Sequence, residues 1–232
     1  MAELTKMRDG TEVLDPRLGR LRSFDPRSRG FGIAERVEDK PIRTRGWSVR
    51  HWLNQQTEGA CVSFAWHHEA LAVPARAVFP SDEAAEQEAF FRYNLMKHVD
   101  EWPGVDYDGT SVLAGAKVMR SVGYFDEYRW AFSLDDVLRA LSNEGPVVLG
   151  TNWYEGMFDP DADGYLRVEG ELAGGHAYLL SSHSVGHQRV TVWNSWGRDW
   201  GRTGRGYISY DDLERLLHEQ GEACIPMGRH VR

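Results

Sequence analysis

The chain of 232 residues is 41% hydrophobic, has two cysteines and carries a formal net charge of −8. That length buries one or two cores. Two cysteines so far apart argue against a disulfide framework, and no apolar run approaches the roughly 18 residues of a membrane span. Residues 1–50 hold 12 Lys and Arg against 8 Asp and Glu, net +4, which leaves −12 for residues 51–232; an acidic body behind a basic arm speaks against nucleic acid as the body's partner.

Residues 1–46 are rich in Arg, Gly, Pro and Asp with weak periodicity, and are expected to form a basic arm lying against the acidic body. The opening "MAELTKMRDG" has no apolar core of the kind a secretory signal needs, so a cytoplasmic location is expected. From Cys61 to about Val73 the residues are continuously helix-compatible, bounded by Gly59 and Pro74. A second helix is predicted after the N-cap Ser81, with acidic residues in its first turn. Two more are predicted in "TSVLAGAKVMRSVG" and "SLDDVLRALSNEG", closed by Gly123 and Gly145. Then "PVVLGTNW", "HAYLLSS", "RVTVWNSW" and "GYISY" read as strands, followed by a last short helix in "YDDLERLLHEQG". Helices first and strands second predict an α+β protein, with a helical lobe over 47–145, a β-rich lobe over 146–232 and a cleft between them.

Cys61 follows two small residues and opens a helix, where unpaired backbone N–H groups and the positive end of the helix dipole favour a thiolate nucleophile. Cys224 has no such setting and reads as a buried structural cysteine. The adjacent His67 and His68 are poor partners for Cys61: at 1.5 Å of rise per residue they lie roughly 9 to 10 Å along the axis, beyond the reach of a general base. His176 opens the first of two strands joined by a turn centred near Val185. A symmetric hairpin sets His176 opposite Asn194, which then accepts from the imidazole Nδ1–H and leaves Nε2 for the nucleophile. Trp193, Trp196 and Trp200 are expected to crowd that hydrogen bond and exclude water. The run "DPDADG" (159–164) imitates the start of a calcium loop, but its twelfth position is Gly170 where a bidentate carboxylate is required, so it reads as a polar turn.

These motifs resemble the papain family of cysteine peptidases: "NQ-x4-G-x-C" at Asn54–Cys61, "GGHA" at Gly174–Ala177 and "WNSWG-x2-WG" at Trp193–Gly201, in that order, across roughly residues 50–210. The resemblance implies a papain-like two-lobed fold, a helical lobe followed by an antiparallel β-barrel-like lobe. It implies Cys61 as nucleophile, His176 as base and then acid, Asn194 as the residue orienting the ring, and Gln55 as side-chain donor of the oxyanion hole beside the Cys61 N–H. Trp196 matches the tryptophan that shields the His–Asn bond. Gly109, Gly150 and Gly175 match positions that line the substrate cleft. No metal or organic cofactor is implied, and the expected partner is a peptide or protein substrate, with neither nucleic acid nor membrane. The departures are Val62 in place of the tryptophan after the nucleophile, Glu58 in place of a disulfide cysteine, and about 50 residues in place of a long prodomain. Other thiol-dependent acyl transfer (amidase or transpeptidase) and a catalytically silent binding protein are the alternatives.

Overall fold

Residues 4–104 and 107–230 are described by the computed structural model. The arm contributes a small hairpin of β1 (Thr5–Lys6) and β2 (Glu12–Val13), then β3 (Arg20–Leu21), the single turn α1 (Ala34–Val37) and β4 (Arg45–Gly46). The body opens with α2 (Cys61–Leu71), α3 (Asp82–Val99), β5 (Thr110–Ser111) and α4 (Val112–Ser121). It continues through β6 (Phe125–Ala131), α5 (Leu134–Asn143), β7 (Val147–Tyr154), β8 (Leu172–Ser184), β9 (Arg189–Trp193), β10 (Arg205–Ser209), α6 (Tyr210–His218) and β11 (Glu222–Arg229). No helix among the described residues is long and apolar enough to cross a membrane.

Four helices start as their sequences dictate. Ser81, Ser111, Ser133 and Ser209 each sit in extended backbone and accept the N–H three residues on, that of Ala84, Ala114, Asp136 and Asp212. Helix α2 has no side-chain cap, and every one of its residues is buried. Packing holds it, between α3 and α4 on one side and β8 on the other.

The predicted strands join one antiparallel sheet in the order β10-β9-β8-β7-β11-β6, with β4 of the arm pairing to β8. Three of its members were not anticipated, β4 of the arm among them. Strand β6 lies within the stretch read as helical, and β11 carries Cys224. Side chains alternate across the sheet: Val148, Ala177 and Leu179 pack toward α2, whereas Leu149, Tyr178 and Leu180 join a second core with α5 and α6.

The hairpin register differs from expectation. Leu179 pairs with Trp193, but beyond an irregularity between Leu180 and Ser182 the pairs become Ser182↔Thr191 and Ser184↔Arg189, which moves the turn past Val185. His176 pairs with Thr151 of β7 instead, and Asn194 lies just beyond the end of β9.

Gly115 is where α4 meets α2: a Cβ there would stand 2.3 Å from the Trp66 ring, which is fully buried and donates to the Val112 carbonyl. Gly115→Ala is therefore expected to destabilise the chain by about 1–3 kcal/mol, the cost of forcing a packed core apart, measured by urea unfolding against wild type.

Candidate active site

Cys61 begins α2 at the floor of the cleft and is fully buried. The backbone N–H groups of Ala177, Gly19 and Val62 favour its charged form electrostatically. Val62 is the helix's own second residue, and Ala177 directly follows His176 on β8. Gly19 belongs to the arm. Burial pushes the thiol up to about 11, and the three N–H groups and the Arg20 charge only partly oppose this. The thiolate expected from the helix start is thus not the resting state, because the arm removes the water a charged sulfur needs.

The His176 ring is buried, and its Nε2 meets Asn194 Oδ1 at 2.8 Å. This reverses the expected assignment of the two nitrogens: Nε2 is the one turned to Asn194, and Nδ1 is buried with no partner of hydrogen-bond geometry. The reason lies in the register, since Asn194 approaches from the loop after β9 and not from the opposing rung. Burial pushes the His176 pKa down to about 4 against the Asn194 contact, which favours the imidazolium. Asn194 Oδ1 also accepts the Ser195 N–H at 2.8 Å, which fixes the amide.

The aromatic shield is only partly the expected one. Trp196 lies 4.9 Å from the His176 ring, but the closer neighbour is Trp153 of β7, edge-on at 4.7 Å. Trp193 packs instead against Trp52 and His68, and Trp200 meets the Trp196 ring and donates to the Phe158 carbonyl, with no ring contact to His176 among the described residues. Trp153 was missed because nothing in "PVVLGTNW" distinguishes the cleft face from the core face. His67 and His68 are buried in α2, where His67 Nδ1 bonds the Ser63 carbonyl and His68 Nε2 accepts the Leu53 N–H. Desolvation holds them down at about 4 and about 3, as neutral packing groups. Cys224 is buried in β11, its thiol pushed well up, chiefly by burial. In the 159–164 turn, Asp161 accepts the Asp163 and Tyr165 N–H groups and pairs with Arg167, so its oxygens are already engaged.

Gln55 is fully buried, its Oε1 held by the Ser195 hydroxyl at 2.6 Å. Its Nε2 donates to the Glu58 carbonyl and, at 3.0 Å, to the carbonyl of Arg17. A peptide carbonyl of the arm thus rests on the side-chain donor predicted for an oxyanion. The arm continues along the cleft. Arg17 stacks its guanidinium 4.0 Å over Trp196, Gly19 crosses Cys61, and β3 pairs in parallel with β5.

All three glycines expected to line the cleft meet this segment. Gly19 bridges to Gly175, a Cβ on Gly109 would stand 2.9 Å from the Gly19 carbonyl oxygen, and one on Gly150 would stand 3.0 Å from Arg20 Nε. Arg20 itself enters a buried pocket beside Gly150 and Val112, where its Nε and a terminal nitrogen reach Glu222 Oε2 at 2.9 and 2.6 Å. Burial raises the Glu222 pKa, and the Arg20 charge opposes that. A second buried pair, Arg8–Asp100 at 3.1 Å, anchors the arm's start. Neither Glu222 nor the arm's path was legible in sequence: the charge asymmetry said only that the arm would adhere.

No family model matches the chain. Over 80 residues it is 34% identical to a cathepsin B-like cysteine proteinase 6 of Caenorhabditis elegans, and over 88 residues 28% identical to cathepsin B-like CP3 of Giardia intestinalis. These matches take in 32% and 37% of this chain but only 21% and 28% of those relatives. Among solved structures, xylellain, a cysteine protease from Xylella fastidiosa, superposes with a TM-score of 0.69 over 94% of this chain and 97% of its own, at 17% identity. One from a study of the mite allergens Blo t 1 and Der p 1 superposes with a TM-score of 0.55 over 91% of this chain and 76% of that one, at 16% identity. The fold is papain-like.

The covered thiol makes a measurable prediction. A Cβ on Gly19 would fall 1.9 Å from the Gly59 carbonyl oxygen, so Gly19→Val must lift the arm from Cys61. Alkylation of Cys61 by iodoacetamide needs the thiolate. In wild type it should stay slow at neutral pH and accelerate only toward pH 11, and the variant should react at least about tenfold faster at neutral pH. Equal rates, followed by mass spectrometry of the Cys61 peptide, would show that the arm does not bury the thiol.

Proposed function

We propose that the chain is a thiol peptidase of papain type whose cleft is held closed by its own arm. Once water reaches the site, the Cys61 sulfur attacks a peptide carbonyl carbon. The thiol proton passes to His176 through the nitrogen not bonded to Asn194, and the developing oxyanion sits between Gln55 Nε2 and the Cys61 N–H. His176 then protonates the departing amine, leaving a thioester, and water activated by the same ring hydrolyses it. Asn194 holds the ring, and Trp153 and Trp196 keep bulk water from that bond. What carries this reading is the Arg17 carbonyl on Gln55 Nε2 at 3.0 Å, with the Gly19 N–H beside the thiol: a peptide already lies where a substrate would.

The direction of the arm explains why it is held and not cut. A leaving amine must face His176, so the amino-terminal part of a substrate lies on the Gly109 and Gly150 side. The arm runs the other way, with Arg17 beside Trp196 and Arg20 beside Gly150. Its peptide nitrogens face away from the proton donor, and protonation of the leaving group fails. We further propose that release of the arm frees Glu222 to receive a cationic side chain next to the acyl residue, since an unpaired buried carboxylate is costly.

Two results test this. Gly19→Val should hydrolyse fluorogenic peptides that the wild type barely touches, and the added change Cys61→Ala should abolish turnover; activity surviving that change would refute the thiol mechanism. Within the Gly19→Val background, a substrate with Arg at the position preceding the acyl residue should exceed its Leu counterpart in kcat/KM by about tenfold or more, and Glu222→Gln should erase the difference.

A further inference from the structure

A concavity of about 1010 Å³ lies outside the catalytic cleft, on the face of β8, β9 and β10 that carries Trp193, with β4 along one side. Its floor follows from register. Gly46, Ser182, Thr191 and Tyr207 lie in one row across the four strands, and the first three are small. Ser182 bonds to Thr191 hydroxyl to hydroxyl at 2.7 Å, which leaves a polar floor. Larger side chains wall it.

Those walls are cationic. Arg45, Arg189, Arg202 and Arg205 line the trough, no carboxylate does, and none of the four pairs with a carboxylate among the described residues. Three of them lie against rings: Arg189 is 3.7 Å from the centre of Tyr207, Arg45 4.4 Å from that of Trp47, and Arg205 5.4 Å from that of Trp193. Such stacking fixes each guanidinium and leaves terminal N–H groups for an oxyanion, although Arg205 Nε donates to the Arg202 carbonyl. In a chain of net charge −8, an unneutralised group of arginines on one face is an exception that needs a ligand.

We infer that this trough docks an extended acidic polypeptide segment, and so serves as a second contact through which the peptidase proposed above selects its protein substrates. Arg205 lies opposite Trp193, and Arg189 is four residues from Trp193 on the same strand, a separation of about 13 Å at 3.3 Å per residue. That spacing matches acidic residues four apart in an extended chain. It is too sparse for the charge density of a nucleic acid strand, which the acidic remainder of the body would also repel. The rings, covered by guanidinium groups, are not free to stack bases. The trough's inner end is Trp52 and Trp193, three residues from Gln55 and next to Asn194, so a substrate can span both sites. The inference rests on the peptidase reading for its purpose but not for its test.

The full chain with Cys61→Ala is titrated into a fluorescein-labelled peptide bearing Glu at every fourth position, followed by anisotropy. The Glu peptide should bind and its Gln counterpart should not. Affinity should fall with added salt and by about tenfold in R189A/R205A, while R189K/R205K retains most of it. Equal binding of the Gln peptide, or no loss in R189A/R205A, overturns the inference. So does tighter binding of inorganic tripolyphosphate than of the Glu peptide at the same arginines, which would make the trough a phosphate site. In active Gly19→Val protein, an acidic extension on a fluorogenic substrate should lower KM and leave kcat unchanged, an effect lost in R189A/R205A. Absence of any turnover there would fail the peptidase reading alone, because anisotropy still decides the trough.

Discussion

Desolvation of Cys61 by the backbone of Gly19 is the constraint around which this molecule is organised. A thiol at the start of a buried helix has every local reason to ionise, with its own helix and neighbouring strand offering N–H groups. The arm adds a third such donor, yet the net shift is upward to about 11, because excluding water costs a charged sulfur more than three amides return. The same exclusion drives His176 down to about 4. The Cys61 thiol and the His176 imidazole are therefore both neutral at rest, and in the proposed function the chemistry waits on solvent.

The seat of the arm has few degrees of freedom. Its backbone passes so near Gly59 that only a residue without Cβ fits at position 19. On one flank the carbonyl of Arg17 satisfies Gln55, and on the other the Arg20 guanidinium enters the Glu222 pocket with both side chains almost wholly buried. Buried pairs of this kind contribute modestly when intact, but leaving one member behind costs about 3–5 kcal/mol. That asymmetry makes Glu222 a latch while the arm is seated and, in the proposed function, a selector once it is gone.

The two faces of the sheet divide the labour. The face away from α2 carries His176, with Trp153 and Trp196 pressed around the imidazole, while the face toward α2 sets Ala177 against the Cys61 helix. Beyond Trp193 that second face, the one toward α2, turns polar and cationic along β8 to β10. Period-two alternation alone assigns each strand residue to one side, so a single sheet carries a dry site and a wet trough without interference.

Cys61, His176 and Asn194 stand out in the chain because each lies in a short motif whose chemistry is local: a thiol at a helix start, a glycine pair before a histidine, an asparagine between tryptophans; Gln55 is picked out only by the resemblance. The serine caps of α3, α4, α5 and α6 are legible for the same reason, since a cap acts within three residues. Three things were decided only by tertiary structure. An irregularity after Leu180 shifted the hairpin, so Asn194 reaches His176 from a loop and meets Nε2. Trp153, on a strand buried on both faces, gives no sequence sign of which core it joins. The arm's direction, and the partnership of Arg20 with Glu222 across 202 positions, depend on which backbone groups the cleft leaves unpaired. Local propensity determines where a reactive group can form; which of its states is populated depends on what the rest of the chain brings against it, and that is a property of the packed whole.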